Sequence, residues 1–297
     1  MNGDEAQGSA EGDSKGKGEG DKNQVSPVRS GAREGRYSRA LQRGLAIVAC
    51  FTAERPLLGI RELAGMLDMS PATTHRYVSA LATQGYLEQD PTSSKYRLSL
   101  GAIDLGMAAL SATGLCMHAL PHIEELARRS EFAVQIGVLD GSEVLLVAAL
   151  PPKRRDQRDP GCDARAGSRL PAHCTSLGKV LLAYLPADRR RELIAKLELE
   201  MLTPPTPRTV RSETVLQAML ARVLEDGLSF SDGELAAGAC AIAAPVRDES
   251  GDVVAAVNVL AQHGTVELSE LARWFEGELL VTAKRISTRL GWRGEGG

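Results

Sequence analysis

The sequence predicts an α+β protein with two ordered domains: a small helical domain that ends in a β-hairpin, and a larger domain in which strands are interspersed with helices. Three observations support this prediction. Short apolar stripes at helical spacing precede a hairpin pattern within residues 37–100, and strand and helix patterns then continue to residue 291. A chain of 297 residues is also long enough for two modest domains.

The composition is that of a soluble globular protein, with 43% hydrophobic and 25% charged residues. No apolar run approaches the ~18 residues that a membrane span requires. The first 25 residues lack the apolar core of a secretory signal. We therefore expect a cytoplasmic protein with no membrane partner.

The five cysteines are scattered singly along the chain, without a C-x-x-C pair. An odd, dispersed set argues against a disulfide framework and against a cysteine-rich zinc site. We expect reduced thiols, most of them in the core.

The net charge of −3 is divided unevenly along the chain. Residues 29–100 hold ten Lys and Arg against six Asp and Glu, whereas the rest of the chain holds 25 against 32. A basic N-terminal part on an acidic body permits contact with nucleic acid in one domain, although the excess is too small to establish it.

Residues 1–36 are rich in Gly and charge and poor in large apolar side chains, which predicts a disordered tail. Order is expected to begin at Ser38, a plausible N-cap. A first helical stripe follows it, formed by Leu41, Leu45, Val48 and Phe51.

A second short stripe spans residues 60–67 and precedes a strong helix start. Ser70 is well placed as an N-cap, and Pro71 as the first helical residue, where its missing N–H costs nothing. We expect this third helix to run to about Gln84 and to end at Gly85.

Residues 86–89 and 95–98 are predicted strands around a turn at 90–94. Three helices and a hairpin in about 60 residues are the layout of a winged helix-turn-helix, a DNA-binding module. Lys95 and Arg97 are two residues apart on the second wing strand, so they share a face and can grip one strip of phosphates.

The third helix should turn Thr74 and Val78 inward and present small residues and donors outward. Arg76 can then pair bidentately with guanine. For Arg39 and Arg43 a solvated helix face is an equally good interpretation. The predicted DNA-contacting residues are Arg39, Arg43, Ser70, Ala72, Thr73, His75, Arg76, Ser79, Ser93, Ser94, Lys95 and Arg97.

The second half begins with a predicted linker helix at 101–118, within a helix-like stretch that extends to 130, and continues as a domain over 119–291. Asp140-Gly141 is a strong hairpin signal between two apolar strands. The remaining predictions are a surface excursion at 151–168, helices near 176–197, 212–226 and 269–290, and strands at 228–231, 240–247 and 253–260.

A helix start at Ser176, capped by Thr175, offers free backbone amides to an anion, and His173 or Arg169 can add positive charge. A small carboxylate is therefore the natural ligand hypothesis. In the alternative interpretation Thr175 only caps the helix and His173 is an ordinary loop residue.

Enzymatic interpretations find less support. Gly178-Lys179 has the wrong glycine spacing for a phosphate-binding loop. Cys174 beside His173 is a poor nucleophile–base pair, because adjacent residues seldom adopt that geometry. Cys162, His173 and Cys174 could supply three ligands to a zinc ion, but their spacing is irregular and no fourth ligand is evident. We expect no enzyme, no cofactor and no metal, and keep as the alternative a small-molecule-converting enzyme domain fused to a DNA-binding module.

These patterns, taken in order, resemble the IclR family of bacterial transcriptional regulators over about residues 38–290. The Gly167–Pro171 entry and the Thr-His-Arg-Tyr helix look nearest the branch that regulates protocatechuate and β-ketoadipate catabolism. The runs that carry the resemblance are Ser38–Ile47, Met69–Val78, Gly85–Leu87, Tyr96–Leu98, Arg169–Ala183 and Ala243–Asp248.

The resemblance implies a GAF-like effector-binding domain, a homodimer or homotetramer, and a palindromic double-stranded DNA operator. The expected function is ligand-responsive regulation of catabolic genes, such as those for aromatic-acid degradation. Where many relatives have Cys or Ser, this chain has Ala241, which puts a polar contact there in doubt. The implied effector-binding residues are Arg169, Ala172, His173, Cys174, Thr175, Ser176, Asp232, Glu234 and Ala241.

Overall fold

The structure is a computed structural model that describes residues 38–52, 55–112, 114–153, 164–199, 201–262 and 266–294. The predicted tail and Cys162 lie outside these ranges. The chain divides into two compact units between Leu105 and Gly106, and each is described by itself.

The first unit is the predicted winged helix-turn-helix. Ser70 caps its third helix, because Ser70 Oγ accepts a hydrogen bond from the Thr73 N–H at 3.2 Å. Gly85 follows that helix with φ of +78°, a left-handed conformation that favours glycine. The elements are α1 (Arg39–Ala49), α2 (Ile60–Met66), α3 (Pro71–Thr83), β1 (Leu87–Gln89) and β2 (Tyr96–Leu98), with the two strands antiparallel.

The core of this unit differs from the predicted stripe on α1. Ile47 and Cys50 are fully buried, whereas Leu41 and Leu45 are 63% and 54% exposed. The stripe therefore predicted the helix correctly but not its buried face. The other core residues lie between α1 and α2, in α2, in α3 and in both strands: Phe51, Leu58, Leu63, Val78, Leu87 and Tyr96.

The second unit is built on a six-stranded antiparallel sheet in the order β5-β4-β3-β8-β7-β6. The predicted hairpin is present, and Gly141 in its turn has φ of +68°. The strands are β3 (Ala133–Asp140), β4 (Glu143–Leu150), β5 (Arg169–Pro171), β6 (Ser229–Asp232), β7 (Ala239–Arg247) and β8 (Val253–Gln262).

Two predicted helical stretches are each broken into two helices. The stretch from 101 to 130 changes direction at Gly114, with φ of +61°, and the stretch from 176 to 197 is interrupted before Pro186. The helices are α4 (Leu100–Ala112), α5 (Leu115–Ser130), α6 (Ser176–Ala183), α7 (Ala187–Lys196), α8 (Glu213–Asp226) and α9 (Leu268–Arg289). No helix within the described ranges is long and apolar enough to cross a membrane.

Both faces of the sheet are covered, because successive residues of a strand point to opposite sides. Ile242 of β7 and Val257 of β8 pack with α5 and α9, whereas Ala243 and Ala256, one residue away on the same strands, pack with α6, α7 and α8. The helices on the second face place α6 against the middle of the sheet.

Gly178 lets the first turn of α6 lie directly on the chain that precedes it. A Cβ at Gly178 would stand 2.1 Å from the carbonyl oxygen of Ala172, in a short 3₁₀ turn, and 2.3 Å from its Cα. Backbone atoms cannot move aside as a flexible side chain can, so only glycine fits at this position.

We expect Gly178→Ala to destabilise the protein by about 3 kcal/mol, because overpacking against backbone forces α6 away from the sheet. Chemical denaturation followed by circular dichroism measures the loss. Gly277→Ala, at an exposed position of α9 with open space around the Cβ, is the matched control and should stabilise by about 0.5–1 kcal/mol. Equal stabilities of the two variants would contradict this account of the α6 packing.

Candidate DNA interface and ligand cavity

The exposed face of α3 carries the residues that the sequence placed outward. Ala72, His75 and Arg76 are exposed, whereas Thr74 and Val78 are completely buried. Thr73 and Ser79 are half-buried at the edges of the face. Small residues near the start of the helix leave room for close approach to a groove, and Arg76 is the longest donor among them.

Tyr77 brings together cations from two helices, a role that sequence reasoning missed. The Arg76 guanidinium lies 5.4 Å from the centroid of the Tyr77 ring. Although desolvation acts to raise it, hydrogen bonds from Arg76 and from Arg43 of α1 hold the pKa of the Tyr77 hydroxyl below its ordinary value. Arg43 of α1 and Arg76 of α3 therefore both lie at Tyr77, on one positive surface.

Of the wing cations, Arg97 lies on the exposed side of β2 and Lys95 directly precedes that strand, and each has a carboxylate partner. Lys95 Nζ lies 2.9 Å from Glu62 Oε1, and Arg97 Nε lies 2.5 Å from Glu88 Oε1. Such exposed pairs contribute only about 0–1 kcal/mol, so phosphate can replace the carboxylates. At the tip, the Ser93 hydroxyl donates to Asp90 Oδ1 at 2.7 Å, and Ser94 is exposed with φ of +57°.

The second unit contains a narrow cavity between α6, the sheet and the loop that joins β6 to β7. The space between its walls is about 460 Å³ when open solvent is counted, but only about 40 Å³ of it is available to the centres of water-sized molecules, so the cavity is narrow. Four of the predicted effector-binding residues line it: Cys174, Thr175, Ser176 and Ala241. The other lining residues are Gln135, Ala164, Leu170, Leu177, Ser231, Leu235, Ala236, Ala239, Asn258 and Leu260.

Arg169 and Asp232 do not line the cavity and are held elsewhere. The Arg169 guanidinium pairs with Asp140 at 2.7 Å and with Glu143 at 3.4 Å, because β5 lies beside β4. Asp232 pairs with Arg208 at 2.6 Å. The structure thus gives these two predicted ligand contacts other partners. Ala172 likewise does not line the cavity and packs under Gly178.

His173 and Glu234 are buried beside the cavity and are not part of its lining. Desolvation, with the positive charge of Lys179, lowers the pKa of His173, so this imidazole is neutral near pH 7. Glu234 Oε1 lies 2.5 Å from Lys179 Nζ. Neither residue can offer positive charge to an anion, contrary to the expectation for His173.

The polar part of the cavity wall is formed by neutral groups. Gln135 of β3 and Asn258 of β8 are register partners. The Gln135 N–H donates to Asn258 Oδ1 at 3.1 Å, and Asn258 Nδ2 donates to Gln135 Oε1 at 3.3 Å.

Ser176 Oγ is buried and has no hydrogen-bond partner within the described structure. Together with the first amides of α6, this hydroxyl can hold a carboxylate.

Sequence reasoning missed Gln135 and Asn258. The available signal was one polar residue within the apolar run of each strand. The described lining residues include no charged side chain, so any anion here depends on dipoles and hydroxyl groups.

The thiol of Cys174 is protonated under ordinary conditions. Burial, with the negative charge of Glu234, raises its pKa to about 12. Burial likewise raises the pKa of Cys240 to about 11. Among the residues that the structure describes, no group of three or more His, Cys, Asp or Glu side chains could hold a metal ion. An activated thiol, which the sequence analysis did not favour, has no support in this environment.

Two families match the chain. The one described as the IclR helix-turn-helix domain matches residues 40–91. The one described as bacterial transcriptional regulator IclR C-terminal matches residues 107–288. The two matches follow the division of the structure into its two units.

Similar proteins span nearly the same length. The HTH-type transcriptional regulator XynR of Escherichia coli K12 is 30% identical over 86% of this chain and 98% of its own. The Pca regulon regulatory protein of Pseudomonas putida is 31% identical over 86% and 84%. The crystal structure of an IclR homolog of Microbacterium hydrocarbonoxydans complexed with 4-hydroxybenzoate is 27% identical, with a TM-score of 0.75 over 84% and 98%.

We expect Cys174 and Cys240 to resist iodoacetamide at pH 8 in the native protein, because the thiolate is the reactive form and both pKa values lie well above that pH. Peptide mapping by mass spectrometry measures the labelling of each cysteine. Half-buried Cys116 serves as the internal comparison. Rapid native labelling of Cys174 would instead indicate an activated nucleophile.

Proposed function

The chain belongs to the IclR family of bacterial transcriptional regulators, and from that membership we propose that it acts in the cytoplasm as a homodimer or homotetramer that binds a palindromic operator and responds to an aromatic carboxylate. The exposed face of α3 supports the DNA-binding part of the proposal, and the neutral polar cavity beside α6 supports the ligand part. We assign DNA binding to residues 37–100, the linker to 101–118 and effector binding to 119–291.

Exposed apolar side chains in the DNA-binding unit support self-association. On α1, Leu41 and Leu45 face solvent, and on α4 Leu100 and Ile103 are 77% and 57% exposed. Apolar surfaces of this kind mark interaction sites in soluble proteins. A two-fold dimer presents two recognition helices, which matches the symmetry of a palindromic site.

The proposed contacts to DNA divide into two groups. Arg76, with Thr73, His75 and Ser79 beside it, reads base edges in the major groove. Arg43, Lys95 and Arg97 contact phosphates, and the two wing residues exchange their carboxylate partners for them.

We expect Arg76→Ala to weaken binding to the upstream regulatory DNA of its own gene by about 5- to 100-fold, the loss of one bidentate base contact. Fluorescence anisotropy with labelled duplexes measures the affinity, and footprinting should show two protected half-sites. Arg208→Ala removes the same charge from the second unit and should leave the affinity unchanged. Unchanged affinity of Arg76→Ala, or no binding by the wild type at low salt, would overturn this assignment.

The chemistry of the cavity suits a ring with a carboxylate at one end and a hydroxyl at the other. The amides of α6 and Ser176 Oγ can hold the carboxylate, Leu170, Leu177 and Leu260 can contact the ring, and the Gln135–Asn258 pair can bind the hydroxyl. The relative named for the Pca regulon and the homolog complexed with 4-hydroxybenzoate support this ligand class.

We expect Ser176→Ala to weaken binding of 4-hydroxybenzoate by about 5- to 20-fold, because the carboxylate loses one hydrogen bond from a buried hydroxyl. Isothermal titration calorimetry measures the affinity, and the methyl ester of the ligand should bind both proteins equally weakly. Ser212→Ala, outside the cavity, is the matched control. Equal affinities of wild type and Ser176→Ala would contradict this subsite, and chemical conversion of the recovered ligand would favour the enzyme alternative.

A further inference from the structure

A buried ion pair lies beside the cavity without lining it. Lys179 of α6 is 1% exposed and Glu234 is 6% exposed, with 2.5 Å between Nζ and Oε1. Burying two charges is costly, and apolar residues of similar volume are often as stable in such places. Fold stability alone therefore does not explain this pair.

The two charges belong to different parts of the cavity wall. Lys179 follows the segment Thr175–Leu177, which forms the wall on the α6 side. Glu234 lies in the 233–239 loop, which ends on the first residue of β7 and supplies Leu235, Ala236 and Ala239 to another part of the lining. The ion pair thus connects these two parts of the wall.

The loop that carries Glu234 is held as a unit at its own base. The Gly233 N–H donates to the Ala239 carbonyl at 2.8 Å, which closes the loop. Thr206 Oγ1 donates to the Gly233 carbonyl at 2.6 Å, and Thr209 Oγ1 donates to the Glu234 carbonyl at 2.6 Å. The loop and the segment 206–209 are thus held together, and the Lys179–Glu234 ion pair is a contact that joins them to α6.

We propose that Lys179 and Glu234 are positioning residues for the ligand cavity, and that their ion pair sets the separation between α6 and the 233–239 loop. An apolar pair would fill the same volume but would not fix a distance and a direction as an ion pair does. The inference rests on the proposed function for the ligand, whereas the wall separation is a property of the ligand-free protein.

The test compares single and double variants of the full chain. Lys179→Met and Glu234→Leu alone each leave a buried charge unpaired and should lower the Tm by roughly 10 °C. The double variant removes both charges and should recover most of that loss. If the pair positions the walls, the double variant should still bind 4-hydroxybenzoate at least about 10-fold more weakly, since a site held loosely loses affinity.

A second readout needs no ligand. Hydrogen exchange at the amides of residues 233–239 should be at least about fivefold faster in the double variant, because the loop loses its contact with α6. Arg208→Ala breaks the exposed pair with Asp232 at the base of the same loop and should change neither readout. Binding of operator DNA without ligand should be unchanged in both variants.

The outcomes separate this inference from the proposed function. If the wild type does not bind 4-hydroxybenzoate, the proposed ligand fails, and the exchange measurement alone decides the role of the pair. A folded double variant with wild-type affinity and wild-type exchange overturns the inference. Should the double variant not fold, Glu234→Asp keeps the charge and shortens the side chain, and wild-type behaviour of that variant in both readouts overturns it equally.

Discussion

The packing of the first turn of α6 on Ala172 is the constraint on which the second unit depends. Because Gly178 has no side chain, α6 lies close enough for its capped start to form one wall of the cavity. The same approach carries Lys179 into the interior, where a lone ammonium would be very costly. Glu234 supplies the compensating negative charge, and the ion pair therefore connects the β6–β7 loop to α6.

In the second unit, the cations described above lie outside the lining of the cavity. Arg169, Lys179 and Arg208 each pair with a carboxylate outside the lining, whereas the lining that the structure describes is neutral. An anion in such a site is stabilised by amide dipoles and hydroxyl groups of fixed direction. Recognition then depends on the shape and hydrogen-bonding pattern of a ligand more than on its charge alone.

The parts of the structure that could be predicted are those whose signals are local. Ser70 followed by Pro71 marks a helix start within two residues, and Asp140-Gly141 marks a hairpin. The buried face of α1 could not be predicted, because Leu41 and Leu45 have the helical spacing of a core face, whereas packing against the rest of the unit buries Ile47 and Cys50. Lys179 and Glu234 are 55 residues apart and meet only in the folded domain. No local sequence pattern therefore indicates this ion pair.

The paired cations of the wing have a consequence for how the protein searches a genome. Because Lys95 and Arg97 are already paired with Glu62 and Glu88, the wing of the free protein has little long-range electrostatic attraction to DNA. On the contacts proposed above, DNA of random sequence displaces both carboxylates without gaining the base contacts proposed for α3. Residence on the wrong sequence is thereby shortened, and the regulator remains available for the few sites where the whole surface engages.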